Sequence, residues 1–230
     1  MNDRVYIPIG KHRQVSGILS LPRTSGEKTG TGVILAHGAG NDMNHPLLVT
    51  LAQGLAQAGY LSLRFNFPYR EQGRKSPDRQ EVLAATWQQV YHFLRDHRHA
   101  PRTIIAAGKS MGGRVAAQMV AEGLLPVARL IFYGYPLHPP GRKEKLRAAH
   151  LEHITIPMLF FAGSRDSLCD LPLLQQVLER LSAPWVLEII EGGDHSFRLP
   201  KAAGVSQQAV HERIMLKTLH WLGGSREGSC

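Results

Sequence analysis

Three polar side chains far apart in the sequence, Ser110, Asp166 and His195, are of the types that together make an activated nucleophile. A serine hydroxyl attacks poorly at neutral pH. It needs a base within hydrogen-bond reach, and the base needs a carboxylate to orient it. Ser110 lies in Gly108-Lys109-Ser110-Met111-Gly112-Gly113, a G-x-S-x-G pattern. The apolar run Thr103–Ala107 leads into it and the helix-forming run Arg114–Ala121 leads out. A serine that turns a strand into a helix within about one residue sits in strained backbone, with its hydroxyl raised above the sheet. Strand and helix then pass so closely that the positions two before and two after, Gly108 and Gly112, have no room for a side chain. The helix start also aims free N–H groups at whatever is bound to the serine.

The acid and base follow in the order serine, acid, histidine that this strand–turn–helix arrangement uses. Asp166 comes just after the apolar run Met158–Ala162, in Gly163-Ser164-Arg165-Asp166. Asp170 competes for the role, but its place before Leu171-Pro172 suits a helix N-cap. His195 stands in Gly192-Gly193-Asp194-His195-Ser196-Phe197, between the last strand and the last helix. Asp194 reads as structural, because neighbouring side chains rarely aim at one another. Acyl transfer further requires donors for an oxyanion. The backbone N–H groups of Met111 and of Ala39 are expected to serve, the latter in the turn His37-Gly38-Ala39-Gly40, with His37 bracing the turn.

Several elements must position these groups. Val5–Ile9 and Ser16–Leu21 read as an antiparallel hairpin at one sheet edge. Strands are expected at 32–36, 60–65, 103–107, 130–133, 158–162 and 185–190, those at 32–36 and 130–133 buried on both faces. Helices are expected at 46–58, from Ser76 (as N-cap) to about Arg95 with Val82 facing inward, after Ser110, after Asp170, and at 205–222. Phe67–Lys75 reads as an irregular basic loop. Strand and helix alternate from Gly32 onward. The fold class is therefore α/β, a mostly parallel, doubly wound sheet with helices on both faces and right-handed crossovers. One domain over residues 1–222 is expected, followed by a disordered tail at 223–230.

Composition narrows the function. The chain of 230 residues is 43% hydrophobic and 20% charged, a globular balance. No apolar run approaches the roughly 20 residues that span a bilayer, so no membrane partner is expected. The start, Met1-Asn2-Asp3-Arg4, lacks an apolar signal core, so a cytoplasmic location is expected. Cys169 and Cys230 are the only cysteines and are not expected to pair, and no Cys/His spacing calls for zinc or another cofactor. The net charge is +9, without an arginine-rich tract or aromatic RNA-binding motif, so nucleic acid is not the expected partner. Five of those charges are carried by two loops. One holds Arg70, Arg74, Lys75 and Arg79 with Glu71 and Asp78. The other holds Arg142, Lys143, Lys145 and Arg147 with Glu144. Both follow strands read as parallel to the Ser110 strand, so a basic mouth favouring anionic substrates is expected, with Arg70 and Arg142 as substrate contacts and Lys109 adding to the field.

Together the elbow, the His37-Gly38-Ala39-Gly40 turn, the Gly163–Asp166 loop and Gly193-Asp194-His195-Ser196-Phe197 resemble the α/β-hydrolase superfamily over nearly the whole chain. More narrowly, the chain is similar to small hydrolases related to dienelactone hydrolase. Within these, Arg64-Phe65-Asn66-Phe67-Pro68-Tyr69 and Tyr135–Gly141 resemble the testis-expressed and chromatin-acetyltransferase-subunit hydrolase-like group. Serine stands where dienelactone hydrolase has cysteine. The resemblance implies hydrolysis through an acyl-enzyme with Ser110, Asp166 and His195 in the three roles. Many relatives carry a helical lid where this chain has only 134–157, without a long amphipathic helix, so a long-chain lipase is not expected. The expected activity is serine hydrolysis of a small or accessible carboxylic ester or thioester. The alternatives are a non-catalytic interaction protein on the same fold, or a peptidase using the same residues.

Overall fold

The computed structural model describes residues 2–11, 13–22 and 29–224. Strands β1 (Asn2–Pro8) and β2 (Gln14–Ser20) form the hairpin, with Val5 opposite Gly17. The remaining strands are β3 (Thr31–Ala36), β4 (Leu61–Phe65), β5 (Thr103–Lys109), β6 (Leu130–Tyr133), β7 (Met158–Gly163) and β8 (Trp185–Ile190). Among the described residues they make one eight-stranded sheet in the order β1-β2-β4-β3-β5-β6-β7-β8. β2 joins β4 antiparallel, and every pairing from β4 through β8 is parallel. The carboxyl ends of β3, β5, β6, β7 and β8 therefore open on one edge, where loops can converge.

Burial explains the strand sequences. Alternate residues of β5 serve opposite faces: Ile104 and Ala106 join one core layer, Ile105 and Ala107 the other. A strand buried on both sides has no polar face to show, so it reads as a continuous apolar run. Helices α1 (Pro46–Gln57) and α6 (Gln207–Gly223) cover the second layer. Helices α3 (Gln80–Arg95), α4 (Met111–Ala121) and α5 (Leu171–Leu178) cover the first. Between β6 and β7 the chain carries a single 3₁₀ turn, Ala149–His153, and no long helix.

Several local expectations are corrected. Pro68–Glu71 forms a short helix, α2, inside the stretch read as an irregular loop. Ser76 does not cap the next helix, which starts at Gln80 with Arg79 at its cap. The cause is Asp78. Its carboxylate accepts the Tyr69 N–H of α2 and pairs with Arg74, which keeps the 76–79 segment out of the helix. Val82 is exposed rather than inward, because it lies about 100° around the helix from Leu83, outside the stripe that Leu83, Trp87, Val90 and Leu94 bury. Glu71 reaches back to the Ser16 N–H and hydroxyl and to Asn66, tying α2 to β2. At the other end α6 reaches Gly223, and the expected tail lies, from residue 225, outside the described residues. Cys230 lies there too, while Cys169 is a buried free thiol whose ionisation burial pushes up to about 12.

Candidate active site

The end of β5 delivers Ser110 at φ 51°, ψ −116°, outside the ordinary regions for a residue with a Cβ. The elbow leaves no alternative to glycine around it. A Cβ on Gly108 would lie 2.2 Å from Gly113 N, and one on Gly112 would lie 2.6 Å from His37 O. Trp87 of α3 donates its indole N–H to Gly112 O at 3.1 Å, pinning the first turn of α4. The Ser110 hydroxyl lies 2.8 Å from His195 Nε2, and His195 Nδ1 lies 2.7 Å from Asp166 Oδ2. With Nδ1–H donating to the carboxylate, Nε2 is left as the acceptor for the serine proton. The Asp166 side chain is wholly shielded from solvent, and its other oxygen accepts the Leu168 N–H at 2.8 Å.

Asp170 behaves as its sequence position suggests. Its side chain accepts the Leu173 N–H as the N-cap of α5 and pairs with Lys143. Lys143 holds its carboxyl below the usual range. Asp194 is structural as well, with Oδ1 accepting from Ser196 N at 2.7 Å and Arg198 N at 2.9 Å.

The turn after β3 is oriented by a device only half legible in sequence. His37 Nδ1–H donates to Gly38 O at 2.9 Å while Nε2 accepts the Phe67 N–H at 3.1 Å, which fixes one neutral tautomer. Burial lowers its pKa to about 4. Tyr69, whose role the sequence reading missed, donates its hydroxyl to the same Gly38 oxygen at 3.3 Å. A planar trans peptide points its N–H opposite its C=O. Holding Gly38 O against His37 and Tyr69 therefore turns the Ala39 N–H away from them. The turn abuts the elbow, since a Cβ on Gly38 would lie 3.3 Å from Ser110 Cβ. Met111 N–H, at the first position of α4, has no intrahelical acceptor.

Other positioning contacts were not foreseen. The acid and histidine loops are stitched together: Arg165 N donates to Gly193 O at 2.9 Å, and Gly192 N to Ser164 Oγ at 2.8 Å. Gly134, just past β6, lies against the histidine loop, since a Cβ there would lie 3.2 Å from His195 O, and its φ of 74° itself favours glycine. Lys109 departs most from expectation. It does not contribute to a basic mouth, because it is only 2% exposed and its ammonium donates to His195 O at 2.7 Å. The basic loops are also partly matched by acids elsewhere. Arg70 lies 3.5 Å from Asp42 and donates to Arg74 O, and Lys143 is taken by Asp170. Arg142 is exposed and has no ion pair among the described residues.

This sheet order, with an elbow serine, a carboxylate after β7 and a histidine after β8 on one edge, defines an α/β-hydrolase architecture. Residues 29–223 match the alpha/beta hydrolase domain family, and the chain belongs to it. Solved structures agree in fold. A dienelactone hydrolase from Anabaena variabilis superposes with a TM-score of 0.71 at 23% identity, covering 96% of this chain and 97% of that one. An alpha-beta serine hydrolase homologue from Coxiella burnetii gives 0.73 at 21% identity, over 95% and 97% of the two chains. A serine hydrolase without a lid, from Xanthomonas campestris, gives 0.71 at 19% identity, over 100% and 96%.

Proposed function

We propose that this hydrolase acts on a small or solvent-accessible carboxylic ester or thioester through an acyl-enzyme intermediate. The observation that supports this most is the pair of hydrogen bonds at 2.8 and 2.7 Å that join a strained elbow serine, a histidine and a buried carboxylate. Ser110 Oγ attacks the carbonyl carbon as its proton passes to His195 Nε2. Asp166 holds the Nδ1–H and stabilises the imidazolium that forms. The Met111 and Ala39 amides receive the oxyanion, whose charge they stabilise without reorganising. His195 then gives its proton to the departing alkoxide or thiolate. Water, deprotonated by the same nitrogen, releases the acid and restores Ser110. The short 134–157 connection supports an accessible substrate over a long-chain lipid.

Labelling with a fluorophosphonate, followed by mass spectrometry of the modified peptide, tests the assignment. The label is expected on Ser110, and Ser110→Ala is expected to lose about 10³-fold or more in kcat with its fold intact. A folded wild type that takes no label and turns over no ester would overturn the reading.

A further inference from the structure

Lys109 is the last residue of β5, and strand alternation puts its side chain on the face of Ile105 and Ala107, under α1 and α6. An ammonium buried there is costly unless it is compensated. Its compensation converges on the histidine loop. Nζ donates to His195 O at 2.7 Å and lies 5.5 Å from the centroid of the Phe197 ring. Gln207 of α6 grips the next two carbonyls, Ser196 O at 3.2 Å and Phe197 O at 3.4 Å. Three successive carbonyls are thus held from below, in a segment where Phe197 adopts φ 61°, a left-handed conformation unusual for a bulky residue.

We propose that Lys109 is a positioning residue whose ammonium fixes the backbone of His195 and thereby aims the imidazole at Ser110. The proposal rests on the serine-hydrolase reading and extends it to a residue outside the three reacting groups. The charged form matters for two reasons. A charge-assisted hydrogen bond to His195 O is stronger than a neutral one, and attraction to the Phe197 face requires a cation. The groups around Lys109 pull in both directions. The Asp166 and Asp194 carboxylates favour the ammonium. His45, capping α1, and His211, on α6, are near enough to Lys109 for their positive charges to oppose its own. Burial outweighs the carboxylates and lowers the lysine to about 8. Above that pH the grip on His195 weakens.

The test combines Lys109→Gln, which keeps a donor without the charge, with Lys109→Met, which keeps neither. In the wild type, kcat is expected to fall on an alkaline limb centred near pH 8, with KM little changed. The His195 Nδ1–H proton resonance is expected to shift over the same range. In Lys109→Gln both transitions are expected to vanish. Lys109→Met is expected to lose on the order of 10²-fold in kcat, the usual cost of a displaced catalytic group. A limb and resonance shift that persist in folded Lys109→Gln would overturn the proposal. So would a wild-type resonance that stays constant across that range, an outcome readable even if neither variant folds. Because the resonance needs no turnover, an inactive wild type would overturn the hydrolase reading while Lys109 is still judged on its own signal.

Discussion

Gly163, the last residue of β7, packs so tightly against Gly193 that a Cβ on it would lie 2.3 Å from Gly193 O and 2.6 Å from Asp194 O. Both contacts are backbone atoms, so no side chain can yield. The acid loop and the histidine loop are therefore set against each other at the point where each leaves the sheet. Gly163→Ala is expected to displace His195 from Ser110, lowering kcat on the order of 10²-fold. A destabilisation of about 1–3 kcal/mol is expected with it. Steady-state kinetics and urea unfolding of the same preparation check this. Wild-type activity in the variant would show that the loops can separate without cost.

The two aspartates after β7 should separate cleanly. Asp166→Asn keeps shape but loses the charge that stabilises the imidazolium, so kcat is expected to fall by about 10³–10⁴-fold. Asp170→Asn still caps α5 and loses one partly exposed ion pair with Lys143. It is expected to stay within about 3-fold of wild type, since Asn caps as well as Asp. Measuring kcat for both variants on one ester decides, and the reverse ranking would move the acid role to Asp170.

Much of this was legible in the sequence, for physical reasons. Buried parallel strands have no polar face, so their apolar runs marked β3, β5, β6 and β7 to within two residues, whereas β8 is a half-exposed edge strand that carries Glu188. An elbow needs glycine on both sides of its serine, so Gly108 and Gly112 marked it. What was not legible depends on distant chain segments. Ser76-Pro77-Asp78 has the local pattern of a helix start, but the Tyr69 N–H and Arg74 recruit Asp78 instead. Tyr69 braces Gly38 across the fold. Lys109 looks like a surface charge because lysine usually is one, and only the return of the chain at His195 gives its ammonium a buried acceptor.

The basic loops bear on substrate charge. Asp42 and Asp170, outside the loops in sequence, take Arg70 and Lys143, so two of the loop cations are matched by acids that the charge count left out. Arg142 remains exposed. A carboxylate-bearing ester is expected to show a higher kcat/KM than its matched neutral ester at low salt, with the difference fading at high salt as exposed charges are screened. Arg142→Ser is expected to reduce the preference. Equal kcat/KM for the two esters at low salt would mean that the basic residues only solvate the loops.

Acid should weaken the fold through its buried and half-buried histidines, and the half-buried His45 offers a way to see one of them. His45 caps α1 by accepting the Leu47 N–H on Nδ1 at 3.3 Å, which requires a neutral ring. Burial, with help from nearby Lys109 and His211, lowers its pKa to about 4. In the unfolded chain the same ring titrates at about 6.5. Between those values the unfolded state binds more protons, so this contribution is fully present above about pH 6.5 and is lost as pH falls towards about 4. His37 and His150, each lowered to about 4 by burial, act in the same sense. Asn caps a helix without titrating. Relative to wild type, His45→Asn is therefore expected to be more stable at pH 5 than at pH 8 by about 1 kcal/mol, a part of the shift's full linkage. Urea unfolding at the two pH values measures this. A stability difference that does not change with pH would show that protonation of His45 plays no part in acid weakening.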